Sequence, residues 1–272
     1  RAGQLGMDTV IVEGQRAGGT CLIRGCIPSK ALIHAAHTFH KLANHAKKGG
    51  HMGIRIPGPA ELKMKDTVAW KDSIVDRLNK GVEALLKNAG VEFINGWAQF
   101  QDAKTVKIGK GKDALLIQAE NVILANGSIP VELPFMKFGD HVISSKEALS
   151  LEELPKRIAV VGGGYIGLEL GITFRMLGSD VTIIEAMDSV LPIFDKELRR
   201  PLEIAIKKQK IAVHTKVFAK GVEAQDDGSV DLLYSPKDAA EGSGPERLNV
   251  DKVLVTVGRR PTSAALTPTG VA

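Results

Sequence analysis

The chain is poor in cysteine, with two in 272 residues, Cys21 and Cys26, both inside one short loop. That scarcity excludes a secreted disulfide framework, in which small domains carry several bridges. A structural staple over so short a loop would add little, because the entropy a cross-link removes grows with the loop it closes. A zinc centre would need two further ligands at fitting spacing, and there is no second cysteine pair. Long apolar runs are missing too, since none approaches the roughly 18 residues that span a bilayer. Nor is there a large excess of one charge. A net charge of +5 over this length describes a mildly basic solvated surface rather than a nucleic-acid face. No signal-like segment opens the chain, which starts on Arg1 rather than methionine. Its beginning is therefore expected to be missing and its compartment to be the cytoplasm. With 44% hydrophobic and 25% charged residues it is an ordinary globular chain, long enough for two domains.

Both cysteines stand in "GGTCLIRGCIPSK", residues 18–30, with an arginine between them and a proline-led helix after them. Taken alone the loop allows a staple, a metal clip, or a pair cycling between thiol and disulfide. Four histidines follow, His34, His37, His40 and His45, on a stretch that reads as a helix. Pro28 suits its first turn, and Leu32, Ala35, Ala36, Phe39 and Ala43 make an apolar face. Steps of three drift backwards around a helix, so these histidines form a sloping stripe that faces solvent or a partner. No metal site is expected.

An internal repeat says more. "LGMDTVIVEG" (residues 5–14) and "LGSDVTIIEA" (residues 177–186) share one skeleton: Leu-Gly ending a helix, a polar turn, a β-branched run, then a glutamate at the strand's end. Upstream of the second copy, an apolar strand at residues 158–161 runs into Gly162, Gly163 and Gly164, and Gly167 opens the way for an apolar helix. Glu185 arrives about 20 residues later at the next strand's end. In such a unit the first glycine makes the turn, the next lets the backbone approach a pyrophosphate, and the last lets helix and strand pack closely. The helix amino terminus faces the phosphates. Glu185 would accept from both hydroxyls of an adenosine ribose. With no arginine close behind it in the chain, it favours NAD over NADP. The first copy has only the end of such a unit, with Glu13 as its ribose acid. Matching the copies places the corresponding glycine loop before Arg1. The fold expected is α/β, with two Rossmann-like dinucleotide-binding domains truncated at both termini.

Two dinucleotide units beside a close cysteine pair suggest electron transfer between a nicotinamide, a flavin and a disulfide. Here "GGTCLIRGCIPSK", "LANGS", "GGGYIGLELG" and "VGRRP" resemble the flavin-dependent (pyridine nucleotide) disulfide oxidoreductases, from end to end of the chain. "IPSKALIH" and "AWKDSIVDRL" resemble the branch that oxidises dihydrolipoamide, in the form serving a branched-chain 2-oxo acid complex. The resemblance implies FAD and NAD as cofactors, and a redox pair in which Cys21 exchanges with substrate while Cys26 faces the flavin. A helix amino terminus favours a thiolate there. It implies Glu13, Gly19, Thr20, Lys30 and Ala98 on the FAD side, with Asn126, Gly127 and Ser128 of "LANGS" making a tight turn. On the NAD side it implies Gly162, Gly163, Gly164, Tyr165, Ile166, Gly167, Glu169, Glu185, Val217 and Gly258. It further implies a homodimer and a lipoyl domain as partner, with no nucleic acid or membrane. The His-Glu acid-base pair would come from a carboxy-terminal domain of the partner subunit, and no histidine here is assigned to it. Departures include Ile23 and Arg24, where an asparagine and a small apolar residue are usual, and Asn126, where a threonine is usual. Arg24 is expected to point into solvent. Same-fold alternatives are a mercuric or a glutathione reductase; IPSK and Glu185 lean against the latter. An alternative from another class is a non-catalytic NAD-binding remnant.

The expected organisation is a partial FAD domain over residues 1–149, a linker over 150–157 and an NAD domain over 158–272. A long amphipathic helix is expected near residues 66–88, closed by Gly90, then a β-rich stretch over 91–128. A hairpin is expected around Asp227 and Gly228, with exposed loops at "AKKGGHMG" and "IGKGKD".

Overall fold

A computed structural model describes residues 1–50, 52–111, 114–240 and 243–263. His51, Lys112 and Asp113 of the two expected loops lie outside the described residues, as does the end of the expected NAD domain. The described residues form two compact units: Arg1–Ile27 with Asp72–Ile129 and the described residues after Gly258, and Pro28–Lys71 with the described residues of Pro130–Gly258. Residues 28–71 join the second of these units. Leu32, Ala36, Met64 and Val68 are buried in the same apolar core as Ile158, Val160, Leu168 and Phe174, which draws residues 28–71 into the second unit.

The second unit is built on a five-stranded parallel sheet. Its order is Ala212–Thr215, Asp180–Glu185, Arg157–Val161, Lys252–Val255 and Val142–Ile143. Strand Arg157–Val161 reads as an unbroken apolar run because both of its faces are covered. Ile158 and Val160 point into one core, with Phe174 and Leu177 of helix Tyr165–Leu177. Ala159 and Val161 point into the other, with Val217, Val230, Leu232 and Val250. Those last residues belong to an antiparallel sheet of Val217–Ala224, Val230–Pro236 and Glu246–Val250, and the first two strands form the hairpin expected around Gly228. Helix Tyr165–Leu177 and helix Lys196–Lys208 make the crossovers from Arg157–Val161 to Asp180–Glu185 and from there to Ala212–Thr215, while the next connection, to Lys252–Val255, runs through the antiparallel sheet.

Helix Cys26–Lys47 carries the histidine stripe, and among the described residues no group of three His, Cys, Asp or Glu could hold a metal ion. Helix Met64–Asn88 contributes residues to both units and has Asp66 in its first turn, where the helix dipole favours an acid. No helix among the described residues is long and apolar enough to cross a membrane.

The first unit repeats part of this plan on a smaller scale. Thr9–Glu13 pairs in parallel with Val91–Asn95, placing Glu13 opposite Asn95. In the second unit Asp180–Glu185 pairs with Ala212–Thr215, placing Glu185 opposite Thr215. In each unit a three-stranded antiparallel sheet follows, here Ala98–Phe100, Thr105–Ile108 and Leu115–Gln118. The β-rich stretch is therefore present, but residues 121–127 form no strand.

Candidate functional site

In the second unit the glycine turn sits where the parallel sheet reverses its order, beside the carboxyl ends of Arg157–Val161 and Lys252–Val255. Such a crevice is the common ligand position of open α/β sheets. Gly162 adopts φ 105°, and its N–H donates to Ile184 O at 2.9 Å. Thr256 Oγ1 donates to Gly162 O at 2.9 Å, tying the turn to the neighbouring strand's end. Gly167 is where helix and turn touch: a Cβ there would lie 2.2 Å from Gly162 O and 2.5 Å from Thr256 Oγ1. Gly164, which caps the helix, is open instead, and a Cβ would meet nothing within 4 Å. The turn thus offers a bare backbone face with the helix amino terminus behind it. Tyr165 stands exposed on that helix, while Ile166 is partly buried against the core.

Glu185 ends its strand only 7% exposed. Its Oε2 accepts from Gly163 N at 2.6 Å and its Oε1 from Met187 N at 2.7 Å, so two backbone amides orient the carboxylate. Glu13 repeats half of this, its Oε1 accepting from Gln15 N at 2.9 Å. No arginine follows Glu185 closely in the chain, as the sequence showed. Helix Lys196–Lys208 brings Arg199 Nη1 against Ser189 Oγ, in the loop that follows Glu185. Val217 opens its strand opposite Pro236, and Gly258 follows Lys252–Val255 with φ 135°.

Lys30 and Glu169, nominated from different motifs, meet directly. Lys30 Nζ donates to both carboxylate oxygens of Glu169, at 2.6 and 2.7 Å, and both side chains remain well exposed.

In the first unit the short helix Gly19–Arg24 carries Cys21, and Cys26 begins the next helix just past Gly25. Both cysteines are exposed. Arg24 does not point into solvent. It is half-buried, its Nη2 donates to Gln15 Oε1 at 2.5 Å, and its Nε is buried with no hydrogen-bond partner among the described residues. Gly19, with φ 65°, stands open where a Cβ would meet nothing. Ala98 is placed by strand pairing, opposite Ile108. The "LANGS" turn keeps a left-handed Gly127 despite Asn126, with φ 72°. Arg259 of "VGRRP" donates to Ser128 Oγ at 2.9 Å and to Ser128 O at 2.5 Å, so two motifs read separately are one structure.

Comparison with known proteins agrees with this geometry. The family model described as pyridine nucleotide-disulphide oxidoreductase matches residues 1–272. The chain is 45% identical over 265 residues to a dihydrolipoyl dehydrogenase of Pseudomonas aeruginosa, covering 97% of this chain and 54% of that protein. It is 42% identical over 267 residues to the dihydrolipoyl dehydrogenase of Geobacillus stearothermophilus, covering 98% and 54%. Among solved structures, LpdA of Mycobacterium tuberculosis superposes with a TM-score of 0.82 at 20% identity, over 96% of this chain and 55% of that one. The HOCl-induced flavoprotein disulfide reductase RclA of Escherichia coli gives 0.78 at 25% identity, over 97% and 54%. The chain spans about half the length of the curated relatives it matches. By the full-length family match, and by the glycine turn and cysteine loop it covers, the chain belongs to the pyridine nucleotide-disulphide oxidoreductase family.

Proposed function

We propose that this chain is the dinucleotide-binding and disulfide-bearing part of a dihydrolipoyl dehydrogenase. Residues 1–149 would be a partial FAD domain, 150–157 a linker and 158–272 the NAD domain. The observation that carries the reading is the Lys30–Glu169 ion pair. Lys30 is expected beside a flavin and Glu169 beside a nicotinamide, and the two lie 139 residues apart in the chain. Their ion pair supports the reading, because hydride can pass only between cofactors whose expected neighbours lie together.

The open face at Gly164 fits a pyrophosphate, and the amide-held Glu185 fits an adenosine ribose. NAD would be held by residues 162–167, Glu169, Glu185, Val217 and Gly258. FAD would be held by Glu13, Gly19, Thr20, Lys30, Ala98 and the turn at Asn126, Gly127 and Ser128. When bound, FAD accepts an electron pair from the protein's thiols and NAD carries it away as hydride.

The protein's own step is thiol–disulfide exchange, starting from Cys21 and Cys26 joined. A dihydrolipoyl thiolate attacks Cys21 Sγ, a new S–S bond forms, the Cys21–Cys26 bond breaks, and its electron pair stays on Cys26. The second substrate thiol, losing its proton, then attacks its partner sulfur and releases Cys21. The substrate leaves as a cyclic disulfide, two electrons poorer, and the two cysteines hold that pair. An exposed Cys21 is accessible to a bulky carrier such as a lipoyl domain of a 2-oxo acid dehydrogenase complex. The same reading makes the enzyme a cytoplasmic homodimer that takes its acid-base His-Glu pair from the partner subunit.

Two measurements test this. In NADH titrations followed by fluorescence, binding should saturate. After mild oxidation, alkylation and mass analysis should find Cys21 joined to Cys26, and dihydrolipoamide should reopen the bond. Failure of NADH to bind, or a pair indifferent to dihydrolipoamide, would sink the reading.

A further inference from the structure

Among the described residues of the first unit one polar side chain is buried, that of Asn79, at 4% exposure. It projects from helix Met64–Asn88, and its amide bonds are all made to the segment leading into the cysteine loop. Nδ2 donates to Ala17 O at 2.6 Å. Oδ1 accepts from Arg16 Nη2 at 2.9 Å and from Arg16 Nε at 3.3 Å. A carbonyl can only accept and a guanidinium can only donate, so the amide has one orientation that satisfies both. Asp76, one turn earlier on the same helix face, takes the same Arg16 Nη2 at 2.8 Å.

The anchors on this segment stop abruptly at Ala17. Upstream, Gln15 is held at its N–H by Glu13, at its carbonyl by Asn95 Nδ2 at 2.9 Å, and at its side chain by Arg24. Downstream come Gly18 and Gly19, at φ 123° and 65°, which have no side chains to fasten them. Ala17, 4% exposed, is therefore the last pinned residue before the helix that carries Cys21.

We propose that Asn79 is a positioning residue for the redox pair, fixing Ala17 so that Cys21 is held within bonding reach of Cys26. The proposal rests on the reading of those cysteines as a redox couple. The disulfide equilibrium of a dithiol follows the effective concentration of one thiol at the other, so a slack loop makes the bond easier to reduce. Asn79→Ala removes both halves of the amide. Asn79→Asp keeps the volume and an acceptor for Arg16 but turns a carboxylate oxygen toward Ala17 O.

The test titrates the full chain against graded dithiothreitol buffers, traps thiols by alkylation and counts the Cys21–Cys26 bond by mass. Thermal melting runs in parallel, with the core variant Phe174→Leu as a control for lost stability alone. Both Asn79 variants should shift the couple about tenfold toward the dithiol, about 30 mV more positive, while Phe174→Leu leaves it in place. Should Asn79→Ala fail to fold, Asn79→Asp carries the test. Variants that melt lower yet titrate like the parent would overturn the positioning role alone. A parent chain that never forms the Cys21–Cys26 bond would overturn the redox reading and this proposal with it.

Discussion

Replacing Glu185 separates the turn-anchoring role seen in the structure from the ribose-binding role proposed for it. Its carboxylate is buried at the end of its strand and accepts two backbone N–H bonds, from Gly163 and Met187. Hydrogen bonds to a charged group contribute roughly 1.5–3 kcal/mol each, and an orphaned buried donor costs about 1–3 kcal/mol. Met187 is 54% exposed, so water can replace the lost acceptor there, whereas the Gly163 amide is left in the turn without one. Glu185→Ala should therefore destabilise by about 2–3 kcal/mol and lower the melting temperature by several degrees. The same substitution deletes both acceptors for the adenosine ribose, raising the NADH dissociation constant about 5- to 150-fold for 1–3 kcal/mol. NADPH should lose far less, because removing a negative charge also relieves repulsion of its 2′-phosphate. Fluorescence titrations with both reduced coenzymes, beside a melting curve, measure the two effects on one preparation. A lowered melting temperature with an unchanged NADH-to-NADPH ratio would refute the assignment of Glu185 to the ribose and leave it as a turn anchor.

Two glycines of helix Tyr165–Leu177 should behave oppositely. Gly167→Ala drives a Cβ into Gly162 O, costing about 1–3 kcal/mol and NADH affinity, whereas Gly171→Ala meets only Val160 and Val181 at 3.5 Å and should be neutral or stabilising by up to about 1 kcal/mol; denaturant midpoints compare them. Phe174→Ala empties a fully buried position and should cost about 3–5 kcal/mol in the same assay. Burial works to raise the Asp251 carboxyl, but hydrogen bonds from the Arg157 side chain and backbone N–H outweigh it and hold it below the usual carboxylate range. A depressed folded-state value contributes stability above the unfolded pKa and loses it as pH falls through the folded one. The parent chain should accordingly weaken below about pH 4, and Asp251→Asn should flatten that slope in acid unfolding curves; an equally steep slope would contradict the linkage.

Much of the glycine turn and its buried acid was legible in chain order because its parts are near neighbours. A β-branched run, three glycines, an apolar helix and an acid on the next strand are all dictated by steric freedom, periodicity and the length of one crossover. The repeat at residues 5–14 and 177–186 was legible for the same reason, and both copies end on a glutamate bonded to the amide two residues on. Long-range pairings were not legible. Nothing local to Lys30 indicates Glu169, nothing near Asn79 indicates Ala17, and Arg24 looked solvent-bound until Gln15 folded beside it.

The clearest case is residues 121–127, whose "NVILANG" matches the pattern of "KVLVTVG" at residues 252–258. The second copy is a buried strand with Val253, Leu254 and Val255 at 0–2% exposure, while Val122, Ile123 and Leu124 are 38%, 86% and 61% exposed. Sequence by itself determined the β-propensity of both segments, the glycine turn and the acid behind it. Tertiary structure decided which segment became a strand. A strand's backbone bonds and both its faces are satisfied by neighbours: Lys252–Val255 lies between Arg157–Val161 and Val142–Ile143, and no strand pairs with residues 121–127 among the described residues.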